Sequence, residues 1–431
     1  MTAAMLTAAL AMTAGSDQAG LAFTGLLHEH PRIQYATRPT SDRVSRLNRA
    51  LVEGSTSLAR DSQTGYLRPV LDALGLSPES QLLVFSKTGV QRSYTSPQNP
   101  RAIYFDDGVV VAYVPGAPAL EIATEDREQG VVFYTLDQTA VSSPTFTRRT
   151  TCLTCHVSAS TLDVPGIIVR SNAVGDDGNL VPEMASQTVN HLTPHTQRWG
   201  GWFVTNRAVD PPYQALGHMG NITFTVHPIS GPSIVSNKVM VEWLNSEPER
   251  RGYLSSASDI GGLLAFDHQS HAMNLLTRLN WQSRIAAGTG PLDLTTGRLR
   301  GEVNDLADYL LFVGEFPPMA PITPRPGFAE RLTSSARRSV RAILGTARSH
   351  ETTASNSQLL RLQCPCYAAC RPVRRAETVG PDLMMRSDPK RIPQRTPTGT
   401  ASAATARVLK AGAVNGPFEF TQRLLTSLRR F

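Results

Sequence analysis

Cys152-Leu153-Thr154-Cys155-His156 constrains this chain more than any other stretch. Two thiols three positions apart can each add across one vinyl group of a porphyrin. A histidine directly after the second thiol is then held where it can ligate the iron. This CxxCH spacing is the attachment signature of a c-type haem. With 5 Cys and 10 His in 431 residues, the pattern would arise by chance in about one such chain in a thousand. A structural zinc site wants four ligands, usually from two closely spaced pairs. The other cysteines, Cys364, Cys366 and Cys370, lie far downstream in a segment of different character. A thioredoxin-like pair belongs at the start of a helix in a βαβ unit. Here Val164-Pro165-Gly166 interrupts the chain soon after the motif, and Ile167 to Val169 reads as a strand. A plain disulfide would leave His156 without a role. The expectation is one haem c, covalent through Cys152 and Cys155, with His156 as proximal iron ligand.

Thioether bonds to haem are made outside the cytoplasmic membrane in bacteria, so the motif also predicts export. Residues 1–24 begin with an apolar, alanine-rich run ending near Gly15-Ser16-Asp17, which reads as a signal peptide. The leading positive charge is missing, since the first basic residue is Arg32. No stretch reaches the roughly 18 apolar residues of a membrane-spanning helix. A periplasmic protein without a transmembrane anchor is expected.

The net charge of +7 is unevenly spread. Residues 331–431 hold 18 Lys+Arg and 5 Asp+Glu, so the preceding residues are mildly acidic. That last segment is rich in Arg, Ser, Thr and Pro and poor in apolar periodicity, as in Arg391-Ile392-Pro393-Gln394-Arg395. Such a composition buries too little apolar surface to offset chain entropy and reads as a disordered basic tail. It lacks the interleaved aromatics of a nucleic-acid-binding surface, so no nucleic-acid partner is expected.

Residues 25–330 form the expected haem-binding domain. Ser41 can cap a helix carrying Val44, Leu47 and Leu51 and closed by Gly54, and Tyr66 to Leu74 reads as a second. Strands are expected at Leu82–Phe85 and Ala102–Phe105. An Asp107-Gly108 turn then leads to Val109–Val114, and Val131–Leu136 follows. Ile167–Val169, Trp202–Thr205 and Ile222–Val226 continue the strand pattern. From Val239 the period becomes helical: Val239–Leu244, a long helix over Ser258–Ala287, and Leu306–Phe312 before Pro317-Pro318. Strands first and helices later argue for an α+β fold. It has a strand-rich N-terminal half and a helix-rich C-terminal half around one covalently bound haem.

The sixth iron position decides between electron transfer and small-ligand chemistry. His191 is the favoured distal ligand, in a polar loop thirty-five residues after His156, with His195 beside it. Met219 is the second choice, flanked with His218 by Gly217 and Gly220, where missing side chains allow close approach to iron. His268 and His271 share a helix face and read as interior histidines. Arg198, like Arg170, can pair with a haem propionate through its planar fork, and Trp199 and Trp202 can wall the porphyrin.

The chain resembles a family of large bacterial proteins with one c-type haem motif, known only as cytochrome c domain-containing. Besides CxxCH, the resemblance rests on Ser80-Gln81-Leu82-Leu83-Val84-Phe85, Pro100-Arg101-Ala102-Ile103-Tyr104-Phe105 and Val164-Pro165-Gly166. It continues through Arg198-Trp199-Gly200-Gly201-Trp202, His218-Met219-Gly220-Asn221 and Tyr309-Leu310-Leu311-Phe312, covering roughly residues 30–330. It implies a secreted or periplasmic haem protein and assigns no reaction. Electron exchange with a redox partner protein is the expected function. The alternative is a haem enzyme or sensor with an open sixth position, for which so large a protein shell around one haem is the argument.

Overall fold

The computed structural model describes residues 25–182, 184, 186–205, 220, 222–227, 231–236, 252–288, 290, 297–316 and 324–330. The leader, Met219, the helix expected at Val239–Leu244 and the basic tail lie outside these residues.

Two short helices open the fold, α1 (Arg43–Val52) and α2 (Leu67–Leu74). Asp42, not the expected Ser41, caps α1, its carboxylate accepting from the Ser45 amide at 2.8 Å. Ser41 instead donates its amide to Asp126, so the residue with the longer acceptor takes the cap. Gly54 follows α1 with φ +70°, as its position suggested.

A six-stranded antiparallel meander follows in strict sequence order. It consists of β1 (Leu82–Val84), β2 (Arg101–Phe105), β3 (Val109–Tyr113), β4 (Ala119–Asp126), β5 (Gly130–Asp137) and β6 (Thr147–Arg148). The Asp107-Gly108 hairpin is tied by Asp106, whose carboxylate accepts from the Gly108 and Val109 amides, each at 3.0 Å. Alternation along the strands sends Leu83, Tyr104, Val111, Ile122 and Tyr134 to one face, where α1 and α2 cover them. Leu82, Val84, Ile103, Phe105 and Val110 take the other face and form a second core with Trp199, Trp202, Leu263 and Phe266.

After β6 the chain makes the single-turn helix α3 (Leu153–His156), the β7 (Arg170–Asn172) and β8 (Ser186–Thr188) hairpin, and the β9 (Ile222–His227) and β10 (Gly231–Ser236) hairpin. The expected strand at Ile167–Val169 begins only at Arg170. Trp202–Thr205 makes single bridges, Val84 to Trp202 and Thr205 to Asp259, rather than a ladder. Gly201, at φ +80°, turns its carbonyl to the Phe85 amide at 2.8 Å, and this leaves the segment threaded beside the sheet edge.

The long helix α4 (Ile260–Ala286) crosses the second face of the sheet, its N-terminus capped by Asp259. It buries Phe266 against Phe105 and the indole of Trp281 against the Glu128 carbonyl. Helix α5 (Gly297–Leu310) begins nine residues before the expected Leu306 and packs Leu299, Val303 and Leu306 onto Leu275 and Leu279 of α4. The result is a mixed α+β chain with the strands of its main sheet first and its long helices last. No described helix is long and apolar enough to cross a membrane.

Candidate functional site

A 3₁₀ turn over Thr150–Cys152 runs directly into α3, so Cys152, Cys155 and His156 occupy little more than one helical turn. Positions i and i+3 share a face in such a turn, which is how two thiols can meet one porphyrin edge. Both thiols are free, Cys155 exposed and Cys152 half-buried. Burial raises the Cys152 thiol above its ordinary pKa, and Glu121 adds to the effect.

The His156 ring is fixed. Its Nδ1 lies 2.8 Å from the Gly166 carbonyl, and its ring centroid lies 4.6 Å from that of Phe133 on β5. A carbonyl can only accept, so Nδ1 carries the proton and Nε2 keeps the lone pair. Burial holds the imidazole below its ordinary pKa; the Gly166 carbonyl opposes this and Arg101 reinforces it. A neutral imidazole with one nitrogen tied to a backbone carbonyl and the other free is the form a metal ligand takes.

The loop from His156 to Gly166 is closed on itself and clamped from outside. The His156 carbonyl accepts from the Gly166 amide at 3.0 Å and from the Thr161 hydroxyl at 3.3 Å. Leu162 and Asp163 both adopt left-handed backbone. Asn274 of α4 then binds both polar groups of Ile167, accepting from its amide at 3.2 Å and donating to its carbonyl at 3.0 Å. Gly166 fits because it has no side chain: a Cβ there would lie 2.2 Å from the Asn274 Oδ1.

His191 and Arg198 belong to a different group of side chains. The His191 ring meets Tyr309 edge-on at 4.5 Å and His271 at 6.4 Å. His268 stacks on the same tyrosine at 4.5 Å. Arg198 is buried and donates to the Thr193 carbonyl at 2.8 Å and the His191 carbonyl at 3.2 Å, with Asp267 at 4.0 Å. Burial dominates the electrostatics here. It lowers His268 to about 3, with help from His191 and His271. His271 falls to about 4, with His191 the lesser cause, and His195 falls to about 4, with Arg198 reinforcing. Burial raises Asp267 to about 7 despite the attraction of Arg198.

Both groups hang from α4, because Asn274 follows His271 by less than one helical turn. Among the described residues no three His, Cys, Asp or Glu side chains are placed to hold a metal ion. The His191, His268 and His271 rings pack on Tyr309. Trp199 and Trp202 are core residues, Trp202 donating its indole N–H to the Arg170 carbonyl at 2.8 Å. Sequence reasoning missed Gly166 as the histidine's acceptor, Asn274 as the clamp, and Arg101, Glu121 and Phe133 on the sheet beneath the motif. No protein-family model, curated protein or solved structure matches the chain.

Proposed function

We propose that the chain is a c-type haem protein of the cytochrome c domain-containing kind it resembles. One haem would be held by Cys152 and Cys155 and ligated by His156. The observation carrying this reading is the His156 Nδ1 contact with the Gly166 carbonyl at 2.8 Å, which leaves the Nε2 lone pair for a metal in a chain segment that also presents two unpaired thiols. When bound, the haem supplies a one-electron couple whose potential depends on its second axial ligand and on burial. The chain's own residues orient the proximal ring, keep it neutral, and screen one side with Phe133. Electron transfer with a protein redox partner outside the cytoplasm is the favoured function. His191 or Met219 would complete the iron coordination, and Arg198 is a propionate partner if its present bonds exchange.

A second reading is a haem enzyme or ligand sensor with an open sixth position. It is favoured by the packing of the His191 ring against Tyr309 and His271.

The test is a reduced absorption spectrum of protein matured with a cytochrome c assembly system, with and without carbon monoxide. A low-spin spectrum unmoved by carbon monoxide supports the carrier; a high-spin one that shifts supports the open site. Replacing Cys152 and Cys155 together by Ala should abolish haem that survives denaturing electrophoresis. Haem that persists in the double variant would overturn the attachment itself.

A further inference from the structure

Among the described residues, Arg101 carries a charge with no ion-pair partner. It is the first residue of β2. Its Nε is buried without a hydrogen-bond partner, and among the described residues no carboxylate lies within ion-pair distance of its guanidinium. Burial pulls its pKa below the ordinary arginine value, and Glu121 opposes that pull from a distance. The register explains the distance. Ile103 pairs with Ala112 and Ala112 with Glu121, so Arg101 sits one pleat beyond that row and two strands across from Glu121. At about 4.8 Å per strand the two are separated by roughly 10 Å or more along the sheet.

A guanidinium stays protonated at any ordinary pH, so the half-buried Arg101 keeps its charge while its buried Nε–H is left without an acceptor. The same guanidinium lowers the pKa of His156, so it lies within electrostatic reach of the ring that would ligate iron. The other arginines considered for an anion are differently placed. Arg198 is already bonded to two carbonyls, and Arg170 is exposed. A carboxylate suits the arginine fork, which can donate two parallel hydrogen bonds to it.

We propose that Arg101 binds a propionate carboxylate of the haem, forming an ion pair that the described residues do not supply. This rests on the haem reading above. Its test is Arg101→Gln and Arg101→Lys in haem-matured full-length protein, read by denaturing haem stain, resonance Raman of the propionate bending band, and reductive titration. Wild type and both variants should keep covalent haem. Arg101→Gln should shift the propionate band and lower the midpoint potential, since losing a nearby cation favours the ferric state. Arg101→Lys should restore the potential while leaving the band displaced, because it keeps the charge and loses the fork. A propionate band unmoved in Arg101→Gln, in protein that stains for haem, overturns this assignment and leaves the haem reading intact. Wild-type protein without covalent haem instead removes the reading on which it rests. If Arg101→Gln does not mature, the band position in Arg101→Lys decides alone, and an unmoved band overturns the assignment.

Discussion

Asn274 holds Ile167 by both of its backbone polar groups, through a side chain that reaches from a long helix to a loop 107 residues earlier. The residue before Ile167 supplies the carbonyl that fixes His156. The orientation of the motif histidine is thus set by α4, through one amide side chain and one loop residue. A rigid helix is a better support for such a ring than a free loop, because the order of the loop is borrowed from a packed core.

Replacing Asn274 by Leu keeps the branched shape and heavy-atom count and removes both bonds. Two backbone groups of Ile167 then lose their partners, and each unsatisfied buried group costs about 1–3 kcal/mol. The expected loss is about 2–6 kcal/mol in urea denaturation. In haem-matured protein it should come with a broadened or partly high-spin ferric spectrum as the His156 ring loosens. A stable variant with an unchanged spectrum would show that Asn274 does not position the histidine.

Gly130 opens β5 at φ +72°, and a Cβ there would lie 2.3 Å from the Thr277 methyl on α4. The left-handed backbone alone costs a non-glycine residue about 1–2 kcal/mol, and overpacking adds about 1–3 kcal/mol. Gly130→Ala should therefore destabilise by about 2–5 kcal/mol. Pairing it with Thr277→Ala removes the clash but not the backbone strain, so part of the loss should return. If the second change recovers nothing, helix α4 does not press on this corner of the sheet.

The legible parts of this chain were those written in local pattern. The hairpin at Asp107-Gly108 and the helix over Ile260–Ala286 follow from turn chemistry and periodicity, and CxxCH stands out by spacing alone. Strand β4 was hidden because Glu121, Thr124 and Glu125 break up its apolar residues, although Leu120 and Ile122 alternate as a half-buried strand should. The surroundings of the motif were hidden for another reason. Alternation tells which side of a strand Arg101 occupies, but what covers that side arrives from loops and a helix far along the chain. His268 and His271 could be read as sharing a face, whereas their meeting with His191 around Tyr309 depends on the return path of a loop.

The packed histidines make stability depend on acidity in a direction that can be worked out. His271 is half-buried and lies at about 4 when folded, against an ordinary 6.5, chiefly through burial and secondarily through His191. The unfolded chain therefore takes up the proton first. The contribution of a neutral His271 is complete above pH 6.5 and is lost as pH falls toward 4, by about 1.4 kcal/mol per pH unit and about 3 kcal/mol in all. Neighbouring acids act oppositely: Asp267 and Glu315 are raised to about 7, so their contribution is present in acid and lost as pH rises toward 7. These opposing slopes would blur a profile of the wild-type protein alone. They largely cancel in the difference between wild type and His271→Gln, which removes one titrating ring. That difference, from urea denaturation at pH 7, 5.5 and 4.5, should shift steadily against the wild type as pH falls. A difference that stays constant across this range would mean that the ring reaches water and titrates as an ordinary histidine.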